Sequence, residues 1–203
     1  MQSHAIFPLF YLPPVSYFAA LQANDFAFVL EAHEHFPKQT YRNRTRISSP
    51  NGTLDLYIPV VKGSKVHTVV KDVKISYDFK WQRLHWLSIQ NAYRNSAYFE
   101  YYEDELAPFY EKKFDFLFDY NFELFEWVLT KLKKAPAINF TTEYIKEPIS
   151  QADFRDKLNF KNPEILFPPK PYFQVFEDRN GFIPNLSIVD LLFSQGPQAK
   201  LFL

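Results

Sequence analysis

The sequence predicts an α+β fold, a mixed β-sheet that opens with a βαβ-like unit and carries packed helices, with an α/β arrangement as the alternative. Three observations predict it. The first thirty residues alternate apolar strand, helix and strand character, a strong turn separates two extended segments near residue 50, and helical spacing of aromatic residues takes over after residue 80.

Taken in order, residues 4–9 read as a short strand. Pro13 and Pro14 then impose an extended entry, because proline fixes φ and restricts the residue before it. Residues 15–24 place Tyr17, Phe18 and Leu21 on an apolar helix side, and residues 25–30 are apolar enough for a buried second strand. That order implies a parallel pair with a very short crossover. Ser49-Pro50-Asn51-Gly52 is a turn between residues 38–47 and 54–61, which predicts a hairpin. Residues 66–75 show β-branched alternation and predict a further strand.

Helical spacing follows in residues 81–93 through Trp81, Leu84, Leu87 and Ile89, then in 98–117 and 121–133. Residues 137–144 are expected to return as a strand. Between 146 and 171 the prolines at 148, 163, 168, 169 and 171 argue for an irregular connection. Residues 184–193 read as a closing helix, with Ser187 and Asp190 spaced as a capping box. Its apolar spacing asks for a packing partner in the opening block.

The 203 residues predict one domain, 1–203, and an aromatic share of 19% supplies ample apolar area for its core. Lysine plus arginine and aspartate plus glutamate both number 23, so no global field draws the chain to nucleic acid. With no cysteine, any catalysis must use oxygen or nitrogen groups. The apolar opening lacks a basic leader and is broken by prolines, and later apolar runs are too short to span a bilayer, so a cytoplasmic location is expected. Nucleotide-binding glycine loops, the H-E-x-x-H zinc motif and the EF-hand loop are all missing, and no cofactor is specified.

Several residues could carry chemistry. Glu31, His33 and His35 alternate, so a strand reaching that far would send all three to one face, where they could meet a metal or where His33 could act as a general acid or base. The plainer reading is a polar strand end in water, and no metal site is assigned. Arg42, Arg44 and Arg46 alternate likewise and could grip phosphates or carboxylates, against the ordinary fate of charge runs as surface ion pairs. His85 lies one turn after Trp81 and reads as structural. Ser187 and Asp190 lack the G-x-S-x-G context of an esterase elbow.

Three blocks in order resemble the WbqC-like family. They are Phe7-Pro8-Leu9-Phe10-Tyr11-Leu12-Pro13-Pro14 with Val15 to Phe18, then Phe28 through Tyr41-Arg42-Asn43-Arg44 to Val60, and finally Phe182-Ile183-Pro184-Asn185 through Phe193. The chain departs from the family pattern at Phe7, where glutamine is common, and around residues 150–170. The resemblance implies an aminoacyl or acyl transferase of the glycine type, acting on an anionic sugar-linked substrate in surface-polysaccharide synthesis. His33 would be catalytic, and Arg42, Asn43, Arg44, Arg46 and Gln174 would bind the substrate. The alternative is a non-catalytic interaction or ligand-binding protein that keeps the family fold, which the shortened 150–170 bridge favours. Oligomeric state is left open.

Overall fold

Strand β1 (Ala5–Pro8) lies parallel to β2 (Phe28–Glu31), in register from Ala5↔Phe28 to Pro8↔Glu31, with helix α1 (Val15–Ala23) as the crossover. The computed structural model describes residues 5–61, 68–146, 152–161, 165, 167–168 and 170–203. The crossover is short because Asp25 and Phe26, with φ of 53° and 54°, turn the chain back through two successive left-handed residues. Each such non-glycine residue costs roughly 1–2 kcal/mol. Burial offsets this, since Val15 to Leu21 are all buried and α1 is enclosed on every side.

Strand β5 (Asn139–Phe140) extends the sheet beside β2, again parallel. On the free edge of β1, the Ile6 amide donates to the Ala152 carbonyl at 2.9 Å and the Phe154 amide to the Ile6 carbonyl at 2.8 Å. Residues 152–154 thus act as a further parallel segment. The spatial order is 152–154, β1, β2, β5.

The predicted hairpin forms from β3 (Arg44–Ser49) and β4 (Gly52–Tyr57), paired antiparallel from Arg44↔Tyr57 to Ser49↔Gly52, and Gly52 takes φ 107° at the turn. With parallel and antiparallel strands both present, the fold is α+β. Helix α2 (Trp81–Tyr93) coincides with its predicted span. The single helix expected over 98–117 is instead broken into α3 (Phe99–Leu106) and α4 (Pro108–Glu111), because Pro108 lacks an amide proton and suits only a first helical position. Helix α5 (Leu117–Lys131) then begins four residues earlier than expected, and a short α6 (Glu177–Asn180) precedes the closing helix α7 (Ile188–Gln195).

The strand expected over 66–75 is not formed by its described residues. Val70–Asp72 is a 3-10 turn, and Val69, Lys74 and Ile75 each make one isolated bridge to a different segment. Residues 66 and 67 lie outside the described residues. Of the strand expected over 137–144, only Asn139–Phe140 pairs. The capping box is also absent. The Ser187 hydroxyl donates to the Leu12 carbonyl at 3.0 Å, and Asp190 is fully buried and turned to other partners.

Residues 184–188 are held by the opening block rather than by helix geometry. The Val15 amide donates to the Leu186 carbonyl, and the Ile188 amide to the Pro13 carbonyl. Asn185 Oδ1 accepts from the Ser16 amide at 2.9 Å, so a side chain from the far end of the chain caps α1, whose own N-cap is Pro14. One contiguous set of buried apolar side chains runs from Ala5 to Ala199. Deleting residues 182–203 is therefore expected to abolish soluble expression. A soluble product with an unchanged melting transition would contradict this packing role.

Candidate functional site at the carboxyl edge of the parallel strands

In open sheets of parallel strands, ligands bind outside the strands' carboxyl ends. Here β2 ends in Glu31, Thr141 follows β5, Asp153 lies in the 152–154 segment and Arg155 directly follows it. Glu31 is fully buried. It accepts from the Thr141 hydroxyl at 2.8 Å, the His33 amide at 2.7 Å and Arg155 Nη1 at 3.1 Å. Arg155 also donates Nε and Nη2 to Asp153, at 3.0 and 2.7 Å, and its guanidinium lies 4.9 Å from the centre of the exposed Tyr144 ring.

Arg42 completes the network. Its Nε and Nη2 donate to Glu34 Oε1 and Oε2, both at 2.6 Å, Nη2 also reaches the Arg155 carbonyl at 3.2 Å, and the guanidinium packs over Phe10. Burial pushes the Glu34 carboxyl above its ordinary value, with Arg42 opposing the rise. At Asp153 burial acts upward too, but the Arg155 hydrogen bonds outweigh it and the carboxyl sits below its ordinary value. Arg155 is raised, chiefly by its hydrogen bonds to Asp153. Desolvating these charges is tolerable only because the pairing is bidentate and the spare lone pairs are filled.

His33 stands at the rim of this network, half-buried, with its amide on Glu31. Because β2 ends at Glu31, no strand carries the 31, 33, 35 alternation onward. His35 is exposed and forms an isolated bridge with Val69. Among the described residues, no group of three His, Cys, Asp or Glu side chains could hold a metal.

The arginine run is divided among three environments. Arg42 precedes β3 and turns inward to Glu34. Arg44 and Arg46 do share a face of β3, opposite Tyr57 and Asp55 of β4. Arg46 is held by Asp55 through Nε at 2.6 Å and Nη2 at 3.0 Å. Arg44 makes no ion pair among the described residues, and its buried Nε has no hydrogen-bond partner. Both guanidiniums rest against the buried Phe160 ring, at 5.8 Å for Arg44 and 4.8 Å for Arg46. Asn43 is buried and donates Nδ2 to the Ile58 carbonyl at 3.0 Å.

Gln174 belongs to a different cluster. Its amide group exchanges hydrogen bonds with Ile183, at 2.8 and 2.9 Å, and donates to Asp190 Oδ2 at 3.0 Å, beside the Tyr172 hydroxyl at 2.8 Å. Burial pushes the Asp190 carboxyl up to about 6, against the lowering hydrogen bonds of Tyr172 and Gln174. His85 is structural, as expected. Its ring meets Trp81 edge-on at 5.1 Å, its Nδ1 lies 3.0 Å from the Tyr11 hydroxyl, and burial lowers it to about 4.

Sequence reasoning did not find Glu34, Arg155, Asp55 or Phe160. No spacing rule marks them, since their partners lie on other segments.

The chain is 25% identical to the uncharacterized protein Rv1507c of Mycobacterium tuberculosis over 229 residues, covering 100% of this chain and 98% of that one. No solved structure matches it. No helix among the described residues is long and apolar enough to cross a membrane. The family model described as WbqC-like protein family matches residues 10–154, which take in Glu31, His33, Glu34 and the whole arginine run, and the chain belongs to that family.

Proposed function

We propose that this protein binds an anionic sugar-linked or aminoacyl substrate in the cytoplasm and transfers a small acyl or amino-acid group of the glycine type, in surface-polysaccharide synthesis. Arg44 contacts the anion. His33 takes the proton from the attacking amine or hydroxyl and returns it to the leaving group.

The observation that carries this reading is the state of Arg44, which alone among Arg42, Arg44 and Arg46 has no carboxylate partner among the described residues. The Arg42–Glu34 pair supports placing His33 in the same site, because it ties the residue after His33 to the residue two before Arg44. The internal bonds of Arg42, Asn43 and Gln174 favour a second reading, a non-catalytic protein that only binds the ligand.

Calorimetric titration with a nucleotide sugar tests both. Arg44→Ala is expected to weaken binding by roughly 1.5–3 kcal/mol, the scale of a charge-assisted hydrogen bond, with the melting temperature unchanged. Lost stability with unaltered binding would overturn the assignment. Under the transfer reading, His33→Gln retains binding and loses turnover. Under the second reading there is no turnover to lose.

A further inference from the structure

Of two neighbouring arginines on one strand face, Arg46 is already occupied by Asp55 and Arg44 has no carboxylate partner among the described residues. Side chains two apart on a strand repeat every 6.6–6.8 Å or so, and Arg44 and Arg46 both rest against Phe160, which limits where either guanidinium can go. The ring is itself held by Tyr41, edge-on at 4.9 Å. The platform is therefore ordered before any ligand arrives.

The Arg46–Asp55 pair is of another kind from Arg42–Glu34. The Arg46 and Asp55 side chains are 29% and 42% exposed, against 3% and 9% for Arg42 and Glu34. An exposed pair contributes little to stability and exchanges readily with another anion, whereas breaking the buried pair strands a charge. A single negative charge would neutralise Arg44 alone. A ligand with two adjacent anionic groups has a second to offer Arg46, provided Asp55 gives way.

Resting on the reading that Arg44 contacts the anion, we propose that this anion is a diphosphate, and that Asp55 is a built-in competitor that holds Arg46 until the second phosphate displaces it. The pair then acts as a selectivity filter. An orthophosphate engages Arg44 and leaves Asp55 in place, while a diphosphate engages both arginines and releases the carboxylate to water.

The test is calorimetric titration of the full chain with orthophosphate, inorganic pyrophosphate and UDP-glucose. Wild-type protein is expected to bind pyrophosphate more tightly than orthophosphate. Asp55→Asn should tighten pyrophosphate binding roughly fivefold and leave orthophosphate within about twofold, as expected when a weak exposed competitor is removed. Arg46→Ala should bring the two affinities together, and Arg44→Ala should weaken both. A fivefold gain repeated with UDP-glucose identifies a nucleotide-linked diphosphate as the ligand, and a gain confined to pyrophosphate identifies free pyrophosphate. Asp55→Asn without effect, alongside an Arg44→Ala protein that still loses orthophosphate, overturns the inference and leaves the function intact. An Arg44→Ala protein that binds every probe as before overturns the reading on which the inference rests.

Discussion

Arg42→Ala is expected to destabilise the protein by about 3–5 kcal/mol, the usual cost of removing one partner from a buried ion pair. The loss has little to do with the strength of the pair as such. Glu34 would keep its buried position with both oxygens stripped of donors, since among the described residues Arg42 alone donates to them, through Nε and Nη2. Burial already holds the Glu34 carboxyl above its ordinary value, and without the opposing guanidinium it would rise further. A group raised in the folded state contributes stability at low pH and loses it as pH rises through its folded value. The defect should therefore shrink towards acid. Urea unfolding at neutral pH and near pH 4 checks this, and Arg42→Met combined with Glu34→Gln should recover most of the stability by removing both charges. An Arg42→Ala protein with wild-type stability at neutral pH would show that Glu34 finds water.

Asp190→Asn is expected to stabilise the protein above pH 6 and to lose that advantage near pH 4. The wild-type carboxyl sits at about 6 in the folded state against an ordinary 3.8, so the folded protein prefers it protonated. Well below 3.8 it is neutral in both folded and unfolded chains and costs nothing, and near pH 4 the cost is still small. As pH climbs towards 6 the unfolded chain ionises first, and stability falls until both states are ionised. The full difference corresponds to on the order of 3 kcal/mol. Asparagine keeps an acceptor oxygen for the Tyr172 hydroxyl and Gln174 Nε2 without a buried charge. Part of the gain is offset, because its amino group meets the side where Asp190 Oδ1 has no partner among the described residues. Comparing the variant with wild type by urea unfolding at pH 4, 6 and 8 isolates this one group, and a difference that is constant across the three would contradict the account.

The local features of the fold were legible because their causes are local. The turn at Ser49-Pro50-Asn51-Gly52 depends on a glycine at φ 107°, and α2 depends on spacing within thirteen residues. The helix break at Pro108 was equally open to view, yet the aromatic stripe across residues 98–117 masked it. Alternation misled in two places. The β-branched run at 66–75 suggested a strand, but its described residues are pinned by bridges to three separate segments. The arginine alternation suggested one shared edge, but β3 starts only at Arg44 and leaves Arg42 to turn inward.

The resemblance of three sequence blocks identified the family, and by itself the sequence determined the α+β class, the parallel opening pair and the hairpin, because turn chemistry, proline geometry and apolar patterning act over a few residues and do not depend on the rest of the chain. Only the tertiary structure decided which charges remain available. Arg42 meets Glu34 eight residues away, Arg155 meets Glu31 across 124, and Asn185 caps α1 through the amide of Ser16, 169 residues before it. Such partners are set by the path of the backbone. Whether a guanidinium binds a ligand or a neighbour depends on which carboxylate that path brings within about 3 Å of it before solvent does.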